Sequence, residues 1–369
     1  MADPATQATN RHGAAETTSP PTAPPAAENN PSPGVATDSV TGPVPIEVGD
    51  GDSTYGSIIS DEAISAYNLS LSSSVVDYPH EYGRRYHAFR PGAYFLPNDE
   101  LEMERMDMAH VLMVRAIGNR LFLAPLEEAK IHRILDIGTG TGIWSMEMAD
   151  IFPNAEVVGI DLSPIQPSWV PSNVKFEVDD IESPWINNLK YDYIFSRYML
   201  VSISDWPRLV NNTYNNLNPG GWVEFQDVNC VYYSDDGSLT KDHATHHWNK
   251  KYIVTCEKMG RTACPGPRLE GWVKDAGFQN VTHQSFKIPI GPWAKEPYYS
   301  DLGMLNLVQL LDGLEGFTLK LFCGYLGQTR EEVLALLSKV QEELKSNTFH
   351  AMFDYHVVYA QRPFVEKEA

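Results

Sequence analysis

The first 50 residues contain no phenylalanine, tryptophan, tyrosine or cysteine. Proline, alanine, threonine, asparagine and serine crowd this stretch instead, and it cannot bury enough apolar surface to offset the entropy lost on ordering. Residues 1–75 therefore read as a disordered tail, with a short helical signal near Asp61 to Tyr67. The remaining chain, 76–369, lies within the span of one elaborated α/β domain. Cysteine is sparse as well. Cys230, Cys256, Cys264 and Cys323 show no Cys-x-x-Cys spacing, which excludes a disulfide scaffold and points to free thiols in a reducing compartment. No apolar run approaches the ~18–20 residues needed to span a bilayer, and the N-terminus lacks the apolar core of a signal peptide. The expected location is cytoplasmic, with no membrane partner and with the nucleus as the alternative. Positive charge is also short: 28 Lys and Arg stand against 48 Asp and Glu, a net charge of −20. That argues against a nucleic-acid partner, whose phosphates call for clustered Lys and Arg.

The ordered part opens on an arm dense in aromatics and arginines, 81–100, broken by Gly and Pro. Asp99 with Glu102 three residues later has capping-box spacing and predicts a helix closing near Gly118. Met106, Ala109, Met113 and Ile117 fall on one face of it, as core packing. Residues 76–130 are thus expected to form a helical N-terminal cap. From Ile131 the pattern alternates between strand and helix, which implies a parallel sheet with right-handed crossovers. Strands are predicted at Arg133–Ile137, Glu156–Asp161, Val174–Val178, Tyr191–Ser196, Trp222–Asp227, Val281–Pro289 and Met352–Ala360. Helical insertions are expected at 237–260 and 297–326, and Thr329 with Glu332 predicts a further capped helix. The fold class is α/β, a Rossmann-like seven-stranded sheet.

The stretch 134–161 carries the chemistry. It reads as a strand, a glycine turn, a helix and a second strand ending in an acid. A dinucleotide fingerprint wants Gly-x-Gly-x-x-Gly or Ala. Here Gly138, Gly140 and Gly142 alternate, and the bulky Ile143 stands where a small residue is required. Asp136, two residues before the first glycine, would repel a pyrophosphate and attract an ammonium group. S-adenosyl-L-methionine carries an α-ammonium and no phosphate, and the glycines let backbone approach its methionyl portion. Asp161 is placed to accept from both ribose hydroxyls. Asp180 is placed to accept from the adenine amine, and Ile181 to donate its backbone N–H to the ring. Ser196, ending the fourth strand, completes the set.

Ile-Leu-Asp-Ile-Gly-Thr-Gly-Thr-Gly, beginning at Ile134, resembles the first motif of class I S-adenosylmethionine-dependent methyltransferases, and Leu-Asn-Pro-Gly-Gly-Trp-Val-Glu-Phe, beginning at Leu217, resembles their fifth-strand entry. Gly-Arg-Arg-Tyr-His-Ala-Phe-Arg-Pro-Gly-Ala-Tyr-Phe-Leu-Pro-Asn-Asp in the arm and Gly-Ile-Asp-Leu-Ser-Pro-Ile-Gln-Pro after the second strand are similar to the fungal LaeA-like methyltransferases. The resemblance runs over about 80–363 and implies the class I fold with this cofactor. By position it implies Asp136, Gly138, Gly140, Asp161 and Asp180 as cofactor residues. It also implies one of two roles: a tailoring enzyme of secondary metabolism, or a nuclear regulator acting with a velvet-type protein partner. Asp227-Val-Asn-Cys-Val-Tyr-Tyr departs from the regulator's glutamate-rich run, and no Lys/Arg run resembles a nuclear import signal, which tilts the expectation toward the enzyme, acting on a small-molecule or modified-peptide acceptor at O or N.

Methyl transfer is an in-line displacement, so most of its catalysis is positioning; a protonated nucleophile would also want a base. His247, within Asp-His-Ala-Thr-His-His-Trp of the first insertion, is the candidate base, with a capping or packing role for these histidines as the alternative. His243 and His247 have i, i+4 spacing, but no zinc pattern accompanies them and no metal is expected. Tyr198, just past the fourth strand, is the second candidate, since ligands sit at the carboxyl ends of strands. Tyr94 and Tyr86 could each offer a π face to the sulfonium, or pack on the following helix. Trp248, Tyr252, Trp293, Tyr298 and Tyr299 suggest an apolar acceptor pocket.

Overall fold

The computed structural model describes residues 75–185 and 189–364. All but the last residue of the expected tail lie outside that range. Seven strands form one sheet: β1 (Arg133–Ile137), β2 (Glu156–Asp161), β3 (Val174–Val178), β4 (Tyr191–Arg197), β5 (Leu217–Tyr233), β6 (Gln279–Pro289) and β7 (Met352–Gln361). Their order is 3-2-1-4-5-7-6, and only β7 runs against the others. The chain winds outward from β1 through β2 to β3, then crosses back to place β4 on the other side of β1. That reversal opens a crevice above the carboxyl ends of β1 and β4.

The first three strands match their expected limits to the residue: β1 and β2 are short, largely buried runs, and β3 alternates Val174, Phe176 and Val178 with exposed Lys175 and Glu177. The fifth runs past its expected end at Asp227. Beyond that residue it still pairs with β7, Val228 against Tyr355 and Asn229 against Asp354, before an irregularity. Cross-strand pairing, rather than local pattern, extends it.

Helices α1 (Glu100–Ala116), α2 (Ile143–Ile151), α3 (Trp206–Asn216), α4 (Ala244–Lys258), α5 (Leu269–Asp275), α6 (Pro297–Leu319) and α7 (Arg330–Ser346) surround the sheet. Trp144 and Met148 of α2 close one core with Phe195 and Tyr193. Leu209 and Val210 of α3 close another with Val273 of α5. The largest core lies beneath α1, α4, α6 and α7. The α7 cap is the full box: Glu332 N donates to Thr329 Oγ1 (3.2 Å) and Thr329 N to Glu332 Oε2 (3.0 Å). The α1 cap is half a box. Asp99 accepts from Glu102 N at 3.1 Å, but the Glu102 carboxylate turns to Arg105, 2.7 Å away, as a buried ion pair.

Two carboxylates tie these layers together. Glu224 of β5, fully buried, accepts from Leu123 N, Ala124 N, Gln226 Nε2 and the Tyr193 hydroxyl. It pins the segment leading out of α1 to the centre of the sheet. Glu343 of α7 accepts from Ala244 N and Thr245 N, both at 2.8 Å, and so satisfies orphan donors at the start of α4.

Candidate active site

At the end of β1 the chain must turn sharply without side chains in the way. Gly138 and Gly142 have φ of +71° and +83°, and a Cβ would collide with Met199 at the first and with the Phe176 ring at the second. Only glycine satisfies both the left-handed backbone and the close approach. Gly138 N and Thr139 N both donate to Ile160 O, fastening the turn to the end of β2. Above it lies a cavity whose walls come from the turn, the ends of β2, β3 and β4, helix α1 and the 93–98 arm.

One end of this cavity bears opposed charges. Asp136, 3% exposed, accepts from Thr139 Oγ1 and Ser145 Oγ, each at 2.7 Å, and burial raises its carboxyl. Arg197 of β4 faces the same cavity; its Nη2 donates to His110 Nδ1 at 2.7 Å, while its buried Nη1 has no partner. Burial, reinforced by that guanidinium, pushes His110 down to about 3. The imidazole is therefore neutral, and its Nε2–H donates to Glu147 Oε2 at 3.1 Å. An unpartnered guanidinium nitrogen across from a buried carboxylate suits a zwitterionic amino-acid group.

At the other end, Asp161 accepts from Gly140 N and Ser163 N, each at 2.9 Å, and burial lifts it to about 6. A carboxylate has roughly four acceptor sites, so two remain for a ligand. Asp180 lines the wall while accepting from Glu182 N (3.0 Å) and Ser183 Oγ (3.1 Å), and Ile181 lies beside it. Arg90 reaches from the arm to Asp180 at 3.8 Å, and Asn98 Nδ2 donates to Ser163 Oγ at 3.2 Å. The arm thus crosses the cavity, bringing Tyr94 into its lining.

Past β4 the chain enters a strained turn, with φ of +59° at Tyr198 and +55° at Val201. Left-handed backbone at a β-branched residue is rare and persists only where its surroundings enforce it. Asp227 does so. It is 1% exposed, and accepts from Met199 N (2.7 Å) and Val228 N (2.8 Å). Tyr198 is thereby held between the first cavity and a second, deeper one, and it lines both. Burial pushes its phenol up to about 12.

Burial lifts the Asp227 carboxyl to about 7, against an ordinary value of 3.8. A raised folded-state value means that the stability linked to this proton is full below about pH 4 and is lost as pH rises through about 7. Wild-type protein should therefore lose more melting temperature between pH 6 and pH 8 than Asp227→Asn does. Parallel melting curves across that range would show that Asp227 does not carry this pH dependence.

A family model described as a methyltransferase domain matches residues 80–283. Methyltransferase pytC of Aspergillus terreus is 50% identical over 296 residues, covering 80% of this chain and 91% of its own. The chain belongs to the S-adenosylmethionine-dependent methyltransferases. Secondary metabolism regulator laeA of Monascus pilosus is 32% identical over 320 residues, covering 85% of this methyltransferase and 86% of its own chain. Protein-methionine methyltransferase laeA of Emericella nidulans is 32% identical over 286 residues, covering 77% and 76% respectively.

In this methyltransferase the fold gathers Tyr94, Asp136, Gly138, Gly140, Asp161, Asp180, Ile181 and Tyr198 around the first cavity. Two expected residues stand elsewhere. Ser196 is buried but outside the lining, because strand alternation turns Phe195 and Arg197 to the cavity side and Ser196 to the opposite face. His247 is exposed on α4, whose buried face is Thr245, Trp248, Asn249, Tyr252, Thr255 and Cys256. It lines neither cavity, so the structure gives it no substrate to deprotonate. His243 Nδ1 accepts from Thr240 N at 3.0 Å, the local structural alternative.

The aromatic expectations divide in the same way. Trp248 and Tyr252 line the second cavity. Trp293 donates to Ala351 O and Tyr298 to Arg115 O, and neither they nor Tyr299 reach either cavity. Tyr86 is fully buried under Lys320 instead of covering the site. Met106 and Met113, expected as core, both line the first cavity, although Met113 is also fully packed. Sequence reasoning misses Arg197 and His110. Strand alternation from Phe195 points to Arg197, whereas His110 on α1 carries no local signal. No helix of the described residues is long and apolar enough to cross a membrane.

Proposed function

We propose that this methyltransferase alkylates a small secondary metabolite. Asp136 and Arg197 hold the amino-acid end of S-adenosylmethionine over Gly138 and Gly140. Asp161 takes the ribose, Asp180 with Ile181 the adenine, and Tyr94 covers the cofactor from the arm. Bound there, the cofactor supplies a methyl group on a sulfonium. The chain's part is alignment: the Asp227-tethered turn fixes Tyr198 at the junction of the two cavities, and the arm excludes water. Residues 76–130 serve as the cap, 131–369 as the methyltransferase domain, and the cytoplasm as the location.

The observation that carries this reading is the second cavity, mostly apolar and meeting the first at Tyr198. The similarity to methyltransferase pytC supports it. The similarity to the laeA proteins keeps a second reading, a nuclear regulator acting with a velvet-type partner. Full-length protein incubated with methyl-deuterated S-adenosylmethionine and a fungal lysate separates the two. Label in the organic-soluble fraction is expected; label confined to protein would overturn the proposal.

A further inference from the structure

The second cavity is built from parts that a cofactor site does not need. Trp248 and Tyr252 come from α4, Leu310 and Phe317 from α6, and Phe353 from β7. It meets the cofactor cavity at Leu96, Tyr198 and Leu200, which line both. No Asp, Glu, Lys, Arg or His among the described residues lines it.

Two of its polar side chains, Trp248 and Gln309, already have protein partners, which leaves the phenol hydroxyls of Tyr198, Tyr232 and Tyr252 as its free polar groups. Trp248 Nε1 donates to Thr318 Oγ1 at 2.9 Å. Gln309 accepts from Arg105 Nη1 at 3.0 Å and donates to Asn306 Oδ1 at 2.8 Å. The cation nearest the lining, Arg105, stands behind the rings of Tyr198 and Phe317 and is already paired with Glu102 at 2.7 Å, so an ion entering this space would lose its water and gain no unpaired counter-charge. A peptide would bring more backbone N–H and C=O groups than the three tyrosine hydroxyls of the lining can pair. The aromatic faces, by contrast, are arranged in two near-parallel pairs. Trp248 and Tyr252 lie 5.9 Å apart at 29°, and Tyr232 and Phe353 lie 6.0 Å apart at 23°. Such walls favour flat π systems.

We propose that this second cavity is the acceptor's seat and that the acceptor is an uncharged, flat, unsaturated small molecule whose reacting atom projects past Tyr198. This rests on the methyltransferase reading above and adds to it the acceptor's chemical class and position.

The test uses the protein saturated with S-adenosylhomocysteine and two fluorescent probes that share one ring system, neutral 2-naphthol and anionic 2-naphthoate. The neutral probe should bind at least tenfold more tightly than the anion. Cys230→Leu, which adds bulk to the cavity wall, should weaken 2-naphthol at least tenfold and leave S-adenosylhomocysteine affinity unchanged. Equal binding of the two probes, binding of neither, or 2-naphthol affinity untouched in Cys230→Leu would overturn the proposal. If Cys230→Leu also loses S-adenosylhomocysteine, crystals of unaltered protein soaked with 2-naphthol decide: a ring among Trp248, Tyr252 and Phe353 upholds the seat, and a ring elsewhere refutes it. Failure of the unaltered protein to bind S-adenosylhomocysteine would instead strike the cofactor assignment, so the two failures are distinct.

Discussion

Asp161→Ala should lower S-adenosylhomocysteine affinity by roughly 10- to 100-fold. A hydrogen bond to a charged group contributes about 1.5–3 kcal/mol, and each 1.4 kcal/mol is about tenfold in affinity. The loss is compounded because the same carboxylate holds Gly140 N and Ser163 N, so the alanine releases the glycine turn as well as the ligand. With the carboxyl near 6, binding should also weaken as pH falls below that value, since the protonated form accepts less well. Titration calorimetry on the two proteins reads both effects. Equal affinities at neutral pH would sink the ribose assignment.

Glu224→Leu should be the most destabilising single change in the sheet. It leaves the N–H groups of Leu123 and Ala124 buried without an acceptor and strips a partner from Tyr193 and Gln226. Breaking a buried charged network of this kind costs about 3–5 kcal/mol. For a domain of this size that corresponds to a melting-temperature fall of roughly 10 °C. The segment after α1 should also become an early site of proteolysis, because Glu224 is what ties it to the sheet. A fall of only about 1 kcal/mol in denaturant unfolding would mean that leucine packing replaces the network.

The parts legible in the sequence are those governed by local rules. A glycine turn between two apolar strands has few other conformations open to it, and the limits of β2 and β3 follow from the Pro, Asn, Ser and Asp residues beyond their ends. Asp136, Asp161 and Asp180 are readable because strand ends in a parallel sheet all point to one crevice. The misplaced residues depend on the direction of a side chain. Ser196 sits one position from Arg197, and that single step moves it across the sheet. His247 neighbours Trp248, yet about 100° of helix rotation separates solvent from the cavity wall. Tyr198 reaches its place through a left-handed backbone that Asp227 helps to hold from another strand, a relation between residues 29 positions apart that no local pattern encodes.

The bond from Glu343 to the start of α4 has an evolutionary consequence. The stretch shared with the methyltransferase-domain family ends at residue 283 and contains the glycine turn and its acids, whereas α6, α7 and β7 lie beyond it. The far chamber is walled by both portions, and Glu343 couples them. Changes in the later portion can therefore reshape one side of that chamber without touching the glycine turn, while its other side, with Trp248 and Tyr252, belongs to the shared stretch. In chimaeras between relatives, exchanging residues after 283 should replace the walls given by Gln309, Leu310, Phe317 and Phe353 and leave the glycine turn intact, provided the incoming segment keeps a carboxylate at position 343 for the start of α4.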